Sequence, residues 1–235
     1  MILAGAEARL TRAQEHLADM RERRDLARQD HLNRLSVEQD AEKPNILKVS
    51  GPRTISPPLV LSVTVGEHLY NLRAALDYLI YELALLDSGE PKTGTQFPIE
   101  STPEGFAGRR NTYLKGVSDE HVALIETLQP YRGCEWTKRL KVLSNPDKHR
   151  HLLSIAHESE ARFTVRKGEF GEFDDVGTGA VFRTEVGPHP GDVHVEIDAT
   201  FLVTFEDETV VVDELEVLQS QVSELLQAFK TELEG

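Results

Sequence analysis

The 235-residue sequence predicts an α+β fold: a bundle of four to five helices, then a small antiparallel sheet that a C-terminal helix closes. Up to about residue 153, apolar residues recur at spacings of three and four, the period of a buried helix face. Beyond it they alternate with polar residues, the period of a half-buried strand. The predicted domains are therefore a helical bundle over 1–153 and a sheet with its closing helix over 154–235, packed as one compact unit.

The first predicted element is one long helix from Ala4 to Leu35. No Gly or Pro interrupts it after Gly5, and charged residues and alanines dominate its sequence. Its apolar stripe, with Leu10 and Leu17, is thin. Such a stripe is typical of a helix that lies on a bundle or on a second copy of the chain.

The strongest helix follows Ser56, a candidate N-cap, and Pro57, which suits the first helical position. Gly89 and Pro91 predict its end. Leucines at spacings of three and four predict one continuous buried seam. The seam consists of Leu69, Leu72, Leu76, Leu79, Leu83 and Leu86.

An irregular connector is predicted from Thr93 to Ile99, followed by a short helix that starts near Pro103. Ser118 is expected to cap another helix, which ends before Pro130. The next predicted helix meets Pro146, and its sequence leaves open whether the helix bends or ends there.

Strands are predicted where the period changes to two, most clearly from Val193 to Phe205, with shorter ones near Ile46, Phe163 and Phe182. Asp213 and Glu216 then form a capping box for the last helix. The apolar face expected to cover the sheet comprises Leu215, Leu218, Val222, Leu225, Phe229 and Leu233.

Composition narrows the classes of function. Cys134 is the only cysteine, so no disulfide can form within the chain, which fits a reducing compartment. The start lacks the basic segment of a signal peptide, and no apolar run approaches the roughly 20 residues of a membrane span. We therefore expect a cytoplasmic protein without a membrane partner. The formal charge of −14 repels nucleic acid on average, so phosphate binding would need a local cluster of cations.

Such a cluster lies between Arg132 and His151, where six cations face two acids. Its densest part runs beside a leucine face from Leu140 to Leu153. The candidate site residues there are Asn145, Asp147, Lys148, His149 and Arg150, with Asn71, Asp77 and Tyr78 of the long helix as supporting residues.

These residue types suit cleavage of RNA without a metal. The neutral imidazole of His149 could take the proton of a 2′-hydroxyl, while Arg150 or Lys148 holds the phosphate. Asp147 or Asn145 could orient the imidazole. His149 and His151 are two residues apart and would not face each other on a helix, so no metal is predicted. No cofactor is predicted either, because no phosphate-binding loop or dinucleotide motif is present.

Four short motifs resemble, in order, a pattern shared by uncharacterised bacterial proteins that have no established activity. They are the NLR and ALD stretch within Gly66 to Leu83, TQFPI at Thr95 to Ile99, QPY at Gln129 to Tyr131, and NPDKHRHL at Asn145 to Leu152. The helical core is in turn similar to HEPN-type bundles. That resemblance implies a metal-independent ribonuclease that uses an Arg and a His, often as a dimer.

A second hypothesis explains the same residues without chemistry. Buried polar side chains often form satisfied networks that fix a helix end, and Arg150 could pair with Asp77 or Glu82 of the long helix. The chain would then be a binding or assembly module. The partners to consider are a second copy bound through the helices and, for the first hypothesis, RNA or another phosphate ligand.

Overall fold

The computed structural model describes residues 3–34, 36–39, 46–50, 59–149, 156–166, 173–175, 180–183, 194–205, 207 and 209–234. Side chains are described at 3–27, 29–30, 33–34, 36, 59–144, 205, 207 and 209–234. The chain divides into two compact units. The first comprises Met1–Met20, Leu59–Ser154 and Thr209–Gly235, and the second comprises Arg21–Pro58 and Ile155–Glu208.

The first unit is built from helices. They are α1 (Ala4–Asn33, of which the part up to Met20 belongs here), α2 (Leu59–Ser88), α3 (Pro103–Tyr113), α4 (Asp119–Thr127), α5 (Glu135–His149) and α6 (Val211–Glu234). A short 3₁₀ turn, Pro130–Arg132, joins α4 to α5. Helix α2 is central, because it packs against α5 and α6 and is hydrogen-bonded to α1.

The leucine seam of α2 forms the middle of the core. Leu69, Leu72, Leu76, Leu79 and Leu83 are all 0% exposed, as the spacing predicted. The seam ends one turn earlier than predicted, since Leu86 is 53% exposed. The helix ends at Ser88, and the next residue, Gly89, has a φ of 72°, a conformation that glycine adopts without a steric penalty.

Helix α1 lies antiparallel to α2. The amide of Gly5 donates to the carboxylate of Glu82, late in α2, while the carbonyl of Ala13 contacts His68, early in α2. The buried residues of α1 are Leu3, Ala6, Leu10, Ala13, Leu17 and Met20. Two of these six positions carry the small residue alanine.

Side-chain caps fix the starts of the two short helices. Ser118 accepts a hydrogen bond from the amide of His121, which confirms the predicted N-cap of α4. Thr102 caps α3 in the same way, with Pro103 in the first turn. These helices contribute Phe106, Val122 and Ile125 to the core.

The second unit contains strands. They are β1 (Ser36–Gln39), β2 (Ile46–Ser50), β3 (Ala156–Arg166), β4 (Phe173–Asp175), β5 (Ala180–Arg183) and β6 (His194–Thr204). β1, β2, β5 and β4 pair antiparallel in that spatial order, and β3 pairs with β6 from Ala156 opposite Thr204 to Arg166 opposite His194.

The predicted α+β fold, a bundle followed by one sheet that the last helix closes, is wrong. The compact part with described side chains is helical, and none of the described strands lies in it. Helix α6 packs on α2 and α5 and buries Leu215, Leu218 and Val222. An apolar helix face fits a helical bundle as well as a sheet, so its periodicity could not identify its partner.

The close approach of Gly5 to α2 can be tested by substitution. A Cβ atom at Gly5 would lie 2.4 Å from the ring of Tyr78, whereas one at Gly108, on α3, would meet nothing within 4 Å. We expect Gly5→Ala to lower the free energy of unfolding by about 1–2 kcal/mol through overpacking. Gly108→Ala should raise it by roughly 0.5–1 kcal/mol through helix propensity. Urea unfolding of both variants measures the two effects, and a stabilising Gly5→Ala would contradict the proposed contact.

Candidate functional site

The candidate site residues occupy the end of α5. The helix continues past Pro146 to His149, so Asn145, Asp147, Lys148 and His149 lie on helical backbone. Asn145 and His149 are four positions apart and therefore one turn apart. Their side chains, and Arg150 as a whole, lie outside the described residues. The catalytic hypothesis for them stays a prediction.

Asn71, a supporting residue, has a structural explanation. It is 5% exposed, and its amide nitrogen donates to the carbonyl of Glu67 one turn earlier at 2.8 Å. Its side-chain oxygen lies 3.4 Å from a guanidinium nitrogen of Arg9 on α1. Asn71 therefore contributes to the contact between α1 and α2.

Asp77 binds the connector between α2 and α3. Its carboxylate accepts from the amide of Phe97 at 2.9 Å, while the guanidinium of Arg73 donates to the carbonyl of the same residue at 3.0 Å. Arg73 and Asp77 are one turn apart on α2, with 3.5 Å between their charged groups. Burial lowers the pKa of Arg73, and the neighbouring charge of Asp77 opposes that shift. Together the two side chains bind both backbone polar groups of one buried residue, Phe97.

The next residues of the connector are bound by side chains from outside α2. Gln129, which is 0% exposed, donates to the carbonyl of Pro98 at 2.9 Å and accepts from the amide of Glu100 at 2.9 Å. The ammonium group of Lys141, on α5, donates to the carbonyl of Ile99 at 2.6 Å. We call Arg73, Asp77, Gln129 and Lys141 the connector clamp.

Three of the four motifs quoted above meet at this clamp. Arg73 and Asp77 belong to the NLR and ALD stretch, Phe97 to TQFPI, and Gln129 to QPY. The contacts give these motif residues a role in holding the bundle together. The sequence alone could not identify the common target of Arg73 and Asp77, because it is 20 or more residues away along the chain.

Tyr78, the third supporting residue, lies on the side of α2 that faces α1. Its ring contacts Gly5, and the guanidinium carbon of Arg9 lies 5.5 Å from the ring centroid. The ring is 39% exposed, so it also forms part of the molecular surface. Tyr78 therefore packs α2 against α1.

The described part of the basic cluster is paired with acids or carbonyl groups. Arg132 bonds Glu126 at 2.5 Å, Lys138 bonds Glu135 at 3.1 Å, Arg139 bonds Glu214 at 2.8 Å, and Lys141 bonds the carbonyl of Ile99 at 2.6 Å. Each bond reduces the positive potential that a phosphate would meet. Arg139 and Lys141 therefore connect parts of the fold, whereas the pairs of Arg132 and Lys138 lie on the surface.

A group of Ser, His and Asp side chains, not predicted from the sequence, joins the ends of three helices. The Nδ1 atom of His121 lies 2.7 Å from the carboxylate of Asp87 and 3.1 Å from the hydroxyl of Ser118. A catalytic triad needs the acid and the nucleophile on different ring nitrogens. Here both face Nδ1, and Nε2 faces Glu232 at 3.9 Å. The group therefore connects α2, α4 and α6.

His68 is a second histidine that sequence reasoning missed. It is 0% exposed, and its Nδ1 atom lies 2.9 Å from the carbonyl of Ala13, so Nδ1 carries the proton. Its Nε2 atom has no hydrogen-bond partner among the described residues. Burial lowers the pKa of His68 to about 4, although the backbones of Ala13 and Leu215 oppose the shift. The imidazole is therefore neutral at pH 7.

Comparison with known proteins returns no relative. No family model matches the chain, and no curated protein or solved structure is significantly similar to it. Among the described residues, no three His, Cys, Asp or Glu side chains come together as a metal site. None of the described helices combines the length and the apolar content that a bilayer crossing requires.

The low pKa of His68 predicts a loss of stability in acid. The unfolded chain binds a proton at His68 near pH 6.5, and the folded chain does so only near pH 4. Stability should therefore fall as the pH drops through this window, by about 3 kcal/mol in total. His68→Leu should flatten this part of the stability profile, measured by urea unfolding at a series of pH values. Equal slopes in both proteins between these pH values would contradict the account, and above about pH 7 the two profiles should run parallel.

Proposed function

We propose that the chain is a non-catalytic cytoplasmic assembly module that associates with a second copy through its helices. The observation that carries this proposal is the connector clamp, because it accounts for polar residues that would otherwise suggest a site. Arg73, Asp77 and Gln129 hold backbone groups of the buried connector. The pairing of Arg132, Lys138 and Arg139 with acids supports the same conclusion. The cytoplasmic location is inferred from the single cysteine, which fits a reducing compartment.

Sedimentation velocity tests the proposal directly. The chain has a mass of 26.3 kDa, and we expect the measured mass to rise toward twice that value as the protein concentration is increased. The association should persist at high salt if it rests on apolar contacts, because salt screens charge pairs but not apolar burial. A mass of one chain at every concentration would contradict the assembly role.

Cleavage of RNA at the end of α5 is the second candidate function. One observation favours it: α5 stays helical to His149, which leaves Asn145 and His149 one turn apart beside Lys148. In this reading His149 is the base and Arg150 holds the phosphate. The resemblance to HEPN-type bundles implies the same class of chemistry.

Labelled RNA incubated with chelator separates the two functions. If the second candidate is correct, the wild type cleaves the RNA, and His149→Ala loses at least about a hundredfold in rate, as expected for a general base. Lys138→Ala is the matched control, since Lys138 lies on the same helix and is paired with Glu135. Absence of cleavage by the wild type, or equal rates in the wild type and His149→Ala, would refute catalysis at this site.

A further inference from the structure

The side chain of His121 lies where three helices end, and each end contributes an ionisable side chain. His121 belongs to the first turn of α4, Asp87 to the last turn of α2, and Glu232 to the last turn of α6. The side chains of His121 and Asp87 are both 11% exposed, and that of Glu232 is 39% exposed. The imidazole is therefore largely removed from water and lies between two carboxylates.

The hydrogen bonds around His121 fix which ring nitrogen carries the proton of the neutral imidazole. The Oδ2 atom of Asp87 accepts from the backbone amide of Ser118 at 2.7 Å and lies 2.7 Å from Nδ1 of His121. A carboxylate can only accept, so Nδ1 is the donor in this contact. Nε2 is then the atom that gains or loses the second proton, and it faces Glu232 at 3.9 Å.

The protonation of Nε2 controls its interaction with Glu232. In the neutral imidazole, Nε2 presents a lone pair to the carboxylate, so the two groups have no proton to share. In the imidazolium, Nε2 presents an N–H, and the contact becomes an attraction between opposite charges. Histidine is the side chain whose charge ordinarily changes between about pH 5 and 8. The contact between α4 and the end of α6 should therefore depend on pH.

The neighbouring helix ends also favour a cation at this place. The C-terminus of a helix carries a partial negative charge, which a nearby cation stabilises. The last turns of α2 and α6, which are both described, contain no basic residue. Lys230, just before the last turn of α6, is paired with Glu7 of α1. Protonated His121 supplies a cation beside both C-termini, although its own place in the first turn of α4 opposes part of this gain.

Apolar packing joins α4 to α6 whatever the charge of the imidazole. Phe229 of α6 is 3% exposed, and its ring centroid lies 6.2 Å from that of His121. Among the described residues, Asp87 and Glu232 are the charged groups in contact with the imidazole. Loss of the proton should therefore loosen the last turn of α6, which follows Phe229, and leave the core intact.

We propose that His121 is a pH-sensitive contact that holds the last turn of α6 against the ends of α2 and α4 when it is protonated and releases that turn when it is neutral. The direction follows from the charges, since both carboxylates attract an imidazolium. The last turn of α6 is thus held more tightly as the pH falls. The proposal is independent of the assembly role, because all of these contacts lie within one chain.

Amide hydrogen exchange across the last turn of α6 measures this effect. The end of a helix exchanges by local opening, so its protection reports its own attachment. After correction for the intrinsic pH dependence of exchange, we expect the amides of residues 231–234 in the wild type to be roughly two- to tenfold better protected at about pH 5.5 than at about pH 7.5. Carboxylates in general stay ionised in this range, so the change comes from histidine.

Glu232→Gln is the decisive variant, because it removes the charge that faces Nε2 from a partly exposed position. The variant should lose the pH-dependent protection. Glu234→Gln is the matched control, since it makes the same substitution in the same turn at an exposed residue with no described contact to His121. It should keep the pH dependence. His121→Gln should lose it, and circular dichroism checks that this variant is folded.

Three results would contradict the proposal. The first is equal protection of the last turn at both pH values in the wild type. The second is a pH dependence that persists in Glu232→Gln, because the attraction would then not come from Glu232. The third is its loss in Glu234→Gln, which would assign it to the overall charge of the turn. His68 is unchanged in every variant, so its own response to acid cancels in the comparison.

Discussion

The burial of an irregular peptide segment is the constraint on which the helical unit depends. Phe97 is 1% exposed and Ile99 is 6% exposed, yet this segment belongs to no helix or strand. A buried backbone amide or carbonyl without a partner costs roughly 1–3 kcal/mol, so the segment needs bonds from side chains. The connector clamp supplies them from α2, from the end of α4 and from α5. The clamp therefore joins three helices at one segment.

The need of the buried connector for hydrogen bonds explains several polar residues of the sequence. Dense polar motifs suggest chemistry, but Arg73, Asp77 and Gln129 each bind backbone groups of the connector. Ser118, His121 and Asp87 also resemble a catalytic set, but Ser118 and Asp87 both face the Nδ1 atom of His121, so this group has a structural role too.

Local patterns in the sequence were sufficient to predict several elements. The leucine spacing predicted the buried face of α2, and Ser118 predicted the start of α4, because both signals depend on neighbouring residues. The partner of α6 was predicted wrongly, because its apolar face carries no information on what it covers. The connector clamp was not predictable, since its partners are 20 to 42 residues apart. The candidate residues Asn145 to Arg150 retain only the prediction made from their sequence.

Amide hydrogen exchange at the connector tests the central claim most directly. The amides of Phe97 and Glu100 donate part-buried hydrogen bonds to Asp77 and Gln129, at 2.9 Å in both cases. They should then exchange only when the helical unit unfolds, with protection similar to that of the core of α2. Exchange at the rate of an exposed loop would show that the segment opens independently. The clamp would then not hold the bundle, and the structural role assigned to Arg73, Asp77 and Gln129 would be wrong.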